Sequence, residues 1–211
     1  MRIIAGKWRG RQIATPAGDD TRPMLDRART VLFDMLGHRL DEPGRLPPIA
    51  VLDLFSGSGA LGLEALSRGA RYCLLVERHC PTAALIRRNL DTLGSIGQAR
   101  VIEADATRCE FPPPPAAPGR PGGYELVFVD PPYRTLAGER PDCTIRSLLQ
   151  RLASEPTTSP SALVIVRHPR QVAGGPDLSP LVEVDRRDVG GMTLRFMTTR
   201  LGEYAAGEEA R

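Results

Sequence analysis

The sequence predicts an α/β fold, a mostly parallel seven-stranded sheet with one antiparallel strand, preceded by a small β-hairpin and a helix. Three observations predict it. From residue 49 onward, short apolar runs alternate with helical stretches, the rhythm of right-handed crossovers between parallel strands. The first run leads directly into a glycine-rich loop, Ser56-Gly57-Ser58-Gly59, that opens a helix. The last two runs, 181–185 and 192–198, leave no room for a helix between them, so one strand must turn back antiparallel.

Each element has its own signal. Residues 2–5 and 11–15 read as short strands around a Gly6-Lys7-Trp8-Arg9-Gly10 turn, which makes a hairpin. Residues 26–40 read as a helix, with Ala28, Val31, Leu32, Met35 and Leu36 on one face. Prolines at 43, 47 and 48 end that segment. Residues 49–54 are the first buried strand, and 59–68 a helix that Gly69 stops. A strand over 71–76 and a helix over 81–93 follow, with Pro81 in the first helical turn and Gly94 just past the end. Residues 99–102, 124–129 and 162–166 continue the strands, and 143–152 a helix. The closing pair turns at Gly190-Gly191. Residues 111–123 hold six prolines and three glycines and read as a flexible surface loop. Residues 154–160 and 168–180 also read as loops.

Composition narrows the function. At 211 residues the chain suits one domain with at most a small appendage, and 41% hydrophobic residues suffice for a core. No apolar run approaches the roughly 20 residues of a membrane span. Residues 1–7 lack the apolar stretch of a signal peptide, so a cytoplasmic protein is expected. Cys73, Cys80, Cys109 and Cys143 are scattered without C-x-x-C spacing or a companion His, so mostly buried thiols are expected and no metal. A net charge of +3 says little about partners, but its placement says more. Arg2, Lys7, Arg9 and Arg11 stand in the first eleven residues with no acid among them, either a phosphate footprint or a solvated surface.

The loop after the first strand carries the cofactor signal. Gly57, Gly59 and Gly62 fit G-x-G-x-x-G, which brings backbone close to a ligand and helix close to strand. Asp53 precedes it at the end of the strand. An acid there repels the pyrophosphate of a dinucleotide but suits a donor with ammonium and sulfonium charges, so S-adenosylmethionine is favoured over NAD. Glu77, 20 residues beyond Gly57, can accept a ribose diol. Asp105 can accept from an adenine amine or simply cap the turn Ala104-Asp105-Ala106-Thr107. Phe55, Ser56, Ser58, Arg78 and Ala106 complete the candidate cofactor contacts.

Asp130-Pro131-Pro132-Tyr133, at the end of the 124–129 strand, is the catalytic candidate. Ligands of such sheets bind beyond the carboxyl ends of strands. An exocyclic base amine is a poor nucleophile because its lone pair is conjugated into the ring. The Asp130 carboxylate and the Pro131 carbonyl can grip its two N–H bonds and favour a tetrahedral nitrogen. The prolines stiffen the turn that presents these acceptors. Tyr133 offers a face for a base drawn out of its stack.

These residues resemble a known family. Asp-Pro-Pro-Tyr belongs to the [Asn/Asp/Ser]-Pro-Pro-[Tyr/Phe] amino-methyltransferases, whose Rossmann-like fold has the sheet layout described above. Residues 2–11, Arg22-Pro23, residues 26–29, Leu32-Phe33, residues 52–69 and 128–133 are similar to the bacterial 16S ribosomal RNA guanine-N2 methyltransferases, the RsmD family. The resemblance implies S-adenosylmethionine as donor, a guanine N2 in 16S rRNA or the assembling 30S subunit as acceptor, and no membrane or metal. Monomer is the default expectation. It also implies an RNA-contacting hairpin and helix over 1–45 within the same compact unit as a methyltransferase domain over 46–211. Arg2, Lys7, Arg9, Arg11 and Arg22 would then meet phosphates, and Trp8 would stack on a base or pin the hairpin. Arg27 would hold RNA, hold the donor's carboxylate or be solvated. The chain departs from the family at Met24-Leu25, Thr30 and Asp34 and in the length of the 111–123 loop. An adenine-N6 methyltransferase, an NAD-binding oxidoreductase and a non-catalytic RNA-binding module are the other readings.

Overall fold

The structure is a computed structural model that describes residues 1–16, 26–120, 122–132, 136, 143–154, 156–170 and 176–199. Its seven strands, β1 (Ala50–Leu54), β2 (Tyr72–Glu77), β3 (Ala99–Glu103), β4 (Tyr124–Val129), β5 (Thr158–Pro169), β6 (Val182–Val189) and β7 (Met192–Thr198), form one sheet in the order β3-β2-β1-β4-β5-β7-β6. The chain divides into two compact units, Met1–Cys109 and Glu110–Arg211. Residues 1–45 lie wholly in the first. Among the described residues, no helix is long and apolar enough to cross a membrane.

In the first unit, β1 (Ala50–Leu54) pairs in parallel with β2 (Tyr72–Glu77), and β2 with β3 (Ala99–Glu103). Every residue of β1 is buried, which explains its nearly unbroken apolar sequence. Helices α2 (Ala60–Arg68) and α3 (Cys80–Leu93) form the crossovers. Gly94, at φ 68, ends α3 with its N–H on the Asp91 carbonyl.

Helix α1 (Asp26–Arg39) turns a different face inward than its periodicity predicts. Arg29, Leu32, Phe33, Leu36 and Gly37 are buried, whereas Ala28, Val31 and Met35 are only half-buried. The cause is Arg29, whose guanidinium is fully enclosed and donates to the Arg2 carbonyl at 2.8 Å and to Asp26 at 2.7 Å. A paired charge can be buried where an unpaired one could not.

The hairpin is less regular than expected, with one isolated bridge, Arg2 to Gln12, in place of two strands. Backbone bonds such as Ile3 N–H to the Arg11 carbonyl join its arms, and α2 anchors it. The buried Glu64 carboxylate accepts the Ile4 and Ala5 N–H groups at 2.8 and 2.9 Å and also the Arg68 Nε. Ser67 accepts the Trp8 N–H on its hydroxyl and the Lys7 N–H on its carbonyl. Gly6 sits so close that a Cβ there would stand 1.9 Å from the Ser67 carbonyl oxygen, so no other residue fits without moving the backbone.

In the second unit, β4 (Tyr124–Val129) pairs in parallel with β5 (Thr158–Pro169). Strand β7 (Met192–Thr198) runs antiparallel to both β5 and β6 (Val182–Val189). It is the reversed strand that the short Gly190-Gly191 connection requires. Helix α4 (Cys143–Ser154) buries Ile145, Leu148, Leu149 and Leu152, one face at helical spacing. β5 is longer than predicted at both ends. Thr158 joins by pairing with Tyr124, with a bulge before Leu126, and Pro169 by pairing with Met192. Partner strands override loop-like composition here. The start of the proline-rich loop is also anchored: Phe111 is buried, with Arg151 5.0 Å from its ring centroid, and the Tyr124 hydroxyl donates to the Pro112 carbonyl.

Candidate active site

The glycine loop lies in the first unit between β1 and α2, and two carboxylates close it. Asp53 is 1% exposed, and its Oδ2 accepts the Gly62 N–H at 2.9 Å. Gly62 permits this, since a Cβ there would meet the Cys73 sulfur at 2.8 Å and Asp53 at 3.1 Å. Glu77 Oε2 accepts the Gly57 N–H at 2.9 Å, and Oε1 the His79 N–H at 2.8 Å. The Ser56 hydroxyl donates to the Asp53 carbonyl, and the Gly59 N–H to the Ser56 carbonyl. Phe55 takes a left-handed φ of 64°, a conformation costing on the order of 1 kcal/mol or more that the surrounding bonds must hold.

This geometry decides which ligand the loop suits. A pyrophosphate needs free N–H groups at the start of the helix. Here the Gly57 and Gly62 N–H groups are already given to carboxylates, so the loop presents acid where a dinucleotide needs donors. Beside Gly57 a Cβ would meet nothing within 4 Å, so the loop is open on that side. Each Glu77 oxygen keeps acceptor capacity for a hydroxyl. Arg78 is exposed just beyond. Asp105 is the turn cap: its Oδ1 accepts both the N–H and the hydroxyl of Thr107, and those bonds hold its carboxyl below the usual range. Ala106 beside it is buried.

In the second unit, Asp130 follows the last residue of β4. Its side chain is 18% exposed, and Arg167 Nε lies 2.5 Å from Oδ1. Burial pushes its carboxyl above the ordinary range, and Arg167 pulls it back. Pro131 is buried and Pro132 exposed. Tyr133 and Arg22 lie outside the described residues, as do Met24 and Leu25.

The basic residues of the hairpin divide. Arg9 is exposed, and its guanidinium has no partner among the described residues. Arg11 is exposed and donates to the Thr92 carbonyl at 2.5 Å, Lys7 to Gln98 at 2.6 Å, and Arg2 to Asp26 at 3.4 Å. Arg27 is exposed at the start of α1. Trp8 is only 7% exposed, with the Lys7 ammonium 4.4 Å from its ring centroid. So placed, the indole has no open face for a base. This corrects the stacking expectation in favour of packing.

Two residues escaped the sequence reading. Asn89 on α3 bonds both the N–H and the carbonyl of Ala14 and donates to the Ser58 carbonyl, tying the hairpin's end to the glycine loop. Nothing in the local sequence announces it. Arg167 did leave a signal. Val129 pairs with Val166, so Asp130, just past β4, comes beside Arg167, the next residue of β5, and two adjacent apolar runs are each followed by a charge of opposite sign.

A glycine loop after β1, an acid at the tip of β4 and a parallel sheet closed by a reversed strand define a Rossmann-like α/β protein of the methyltransferase type. The chain belongs to the family described as Conserved hypothetical protein 95, whose model matches residues 1–198. Its relatives agree with the expected RsmD kinship. It is 41% identical over 138 residues to Ribosomal RNA small subunit methyltransferase D of Escherichia coli (strain K12), a match spanning 64% of this chain and 61% of that protein. It is 33% identical over 193 residues to YlbH of Bacillus subtilis (strain 168), covering 92% and 95% of the two chains. Among solved structures, yhhF of Escherichia coli superposes with a TM-score of 0.71 at 31% identity, covering 94% of this chain and 97% of that one. An RNA methyltransferase from Salinibacter ruber, in complex with S-adenosyl-L-homocysteine, has the same fold, with a TM-score of 0.59 at 14% identity over 85% and 95% of the chains.

Proposed function

We propose that this protein transfers a methyl group from S-adenosylmethionine to the exocyclic N2 amine of a guanine in 16S rRNA, in the cytoplasm, during assembly of the small subunit. The observation that carries the reading is the Asp130 carboxylate. It stands at the tip of a buried strand with one oxygen on Arg167 and, among the described residues, no partner on the other. An amine that must be gripped through its N–H bonds needs such an acceptor.

The glycine loop supports the choice of donor, because its Gly57 and Gly62 N–H groups are taken by carboxylates, whose charge disfavours a pyrophosphate. When bound, S-adenosylmethionine supplies an electrophilic methyl group on sulfur. Glu77 would hold the ribose hydroxyls. The buried acid Asp53 favours a cationic ligand through its charge while holding the start of α2. Asp130 and the Pro131 carbonyl would accept the two amine N–H bonds. Asp130 would also offset the positive charge that grows on nitrogen until the proton leaves to water. Arg9 and Arg11, with Lys7 and Arg2, would meet RNA phosphates. The relatives' names support rRNA as the substrate class.

Mass spectrometry of 16S rRNA from a strain lacking the gene tests the substrate. One N2-methylguanine is expected to disappear and to return with the gene. A lost N6-methyladenine would move the reading to adenine, and an unaltered profile would remove rRNA as the substrate. Calorimetry tests the donor, where binding of NAD but not of S-adenosylmethionine would end the proposal.

A further inference from the structure

The last β4·β5 pair is Val129 with Val166, and the charges that come next, Asp130 just past β4 and Arg167 within β5, meet. Arg167 Nε lies 2.5 Å from Asp130 Oδ1, with the two side chains 16% and 18% exposed. The contact uses Nε alone on one oxygen. A two-pronged guanidinium grip would occupy both carboxylate oxygens. Among the described residues, this one leaves Oδ2 available. Resting on the function proposed above, we propose that Arg167 is a positioning residue for amine methylation: it holds Asp130 as a carboxylate and fixes its rotamer so that Oδ2 meets the base amine.

The physical need is plain. Desolvation favours the neutral form of a carboxyl buried at a strand end. A neutral carboxyl presents an O–H to the amine and accepts weakly, so it cannot grip an N–H bond that must be held while nitrogen becomes tetrahedral. A cation in contact restores the charge, and the ion pair locks the side chain. The two effects on Asp130 are those expected of this arrangement, burial raising its pKa and Arg167 lowering it. Among the described residues, the charged and titratable neighbours on β5 and β7 are otherwise engaged. Arg195, opposite Val166 on β7, is paired with Glu183 on β6 and donates to the Pro176 carbonyl. His168, next to Arg167, is buried with Nδ1 at 2.8 Å from the Pro169 carbonyl, and burial lowers its pKa.

The sign of the pH effect follows. Only ionised Asp130 grips the amine, so transfer falls as pH drops through its folded pKa. Removing the Arg167 charge raises that pKa, because an opposite charge in contact favours the ionised form. The acid limb of kcat/KM for RNA must then move to higher pH.

The test measures methyl transfer to 16S rRNA against pH for the wild-type protein and for Arg167→Met, Arg167→Gln and Arg167→Lys. Donor affinity is followed by calorimetry, and the Asp130 carboxyl is titrated by carbon NMR. For Arg167→Met, the expected result is an acid limb and an Asp130 midpoint both displaced upward. Activity should fall at neutral pH and partly recover in alkali, with unchanged donor affinity. Arg167→Lys, which keeps the charge, should restore the limb, and Arg167→Gln serves if the Met variant does not fold. An acid limb and a carboxyl midpoint that stay where they are in the neutral variants would overturn the role. Failure of the functional reading looks different, since wild-type protein would then methylate no rRNA. The carboxyl titration still decides Arg167 in that case, a raised midpoint supporting its hold on Asp130 and an unmoved one removing it.

Discussion

The carboxylates of the glycine loop and the carboxylate at the tip of β4 are handled in opposite ways. Asp53 and Glu77 are bonded by backbone N–H groups of the loop they border, so their acceptor capacity goes first into shaping the chain. Among the described residues, Asp130 is bonded by one side chain, at one oxygen. A carboxylate tied to its own backbone builds a cradle and tolerates little change. One tied to a single side-chain cation keeps an oxygen for chemistry, and its charge depends on that cation. Burial alone does not separate the two kinds of acid, since all three are shielded from water to some degree. The identity of the donor does.

This contrast can be broken by substitution. The largest effect is expected at Asp130→Ala, which should lower methyl transfer by about a hundredfold to a thousandfold while donor affinity stays within about tenfold. Collapse of donor binding in calorimetry would show that Asp130 belongs to the cradle instead. Asp53→Ala should do the reverse. It leaves the buried Gly62 N–H without its acceptor, costing about 1–3 kcal/mol, and should weaken donor binding more than it slows transfer at saturating donor. Urea unfolding and calorimetry measure both, and an unchanged unfolding midpoint would show that the Asp53 bond does not shape the loop.

Smaller effects are expected away from these acids. Replacing Arg9 and Arg11 together by Ala should flatten the salt dependence of RNA binding by about one to two units of slope. An unaltered slope would remove the hairpin from the RNA surface. The smallest change is expected at Asp105→Ala, which loses an exposed turn cap worth about 1 kcal/mol or less. Its carboxyl is held below the usual range by Thr107, so its stabilising contribution is present above the ordinary aspartate pKa of about 3.9. That contribution fades as pH falls through the lower folded value. Thermal unfolding of the two proteins should therefore converge in strong acid, and a gap that widened there would contradict the cap.

Much of this was legible in the chain. The β4 and β7 boundaries fall where the apolar runs place them, because both strands are bounded by turn residues. The strand–loop–helix unit over 50–68 was legible because glycines and a single acid punctuate an otherwise buried run. The face of α1 was not, since hydrophobic periodicity cannot foresee that an arginine will be enclosed by a carbonyl and Asp26. The ends of β5 were hidden for a similar reason: residues 158–161 look like loop until a partner strand supplies their hydrogen bonds. Trp8 shows the limit for the site. An aromatic between two cations reads equally as a stacking platform or as a peg, and the Ser67 contacts beside it favour the peg. Arg167 was recoverable only by aligning two strands 37 residues apart in sequence.

The anchoring of the hairpin by Glu64 carries one more implication. The Ile4 and Ala5 amides are held by a carboxylate borne on α2, so they can exchange with deuterium only when the Glu64 side chain lets go. Whatever grips the basic arm from outside should therefore slow exchange at these two amides.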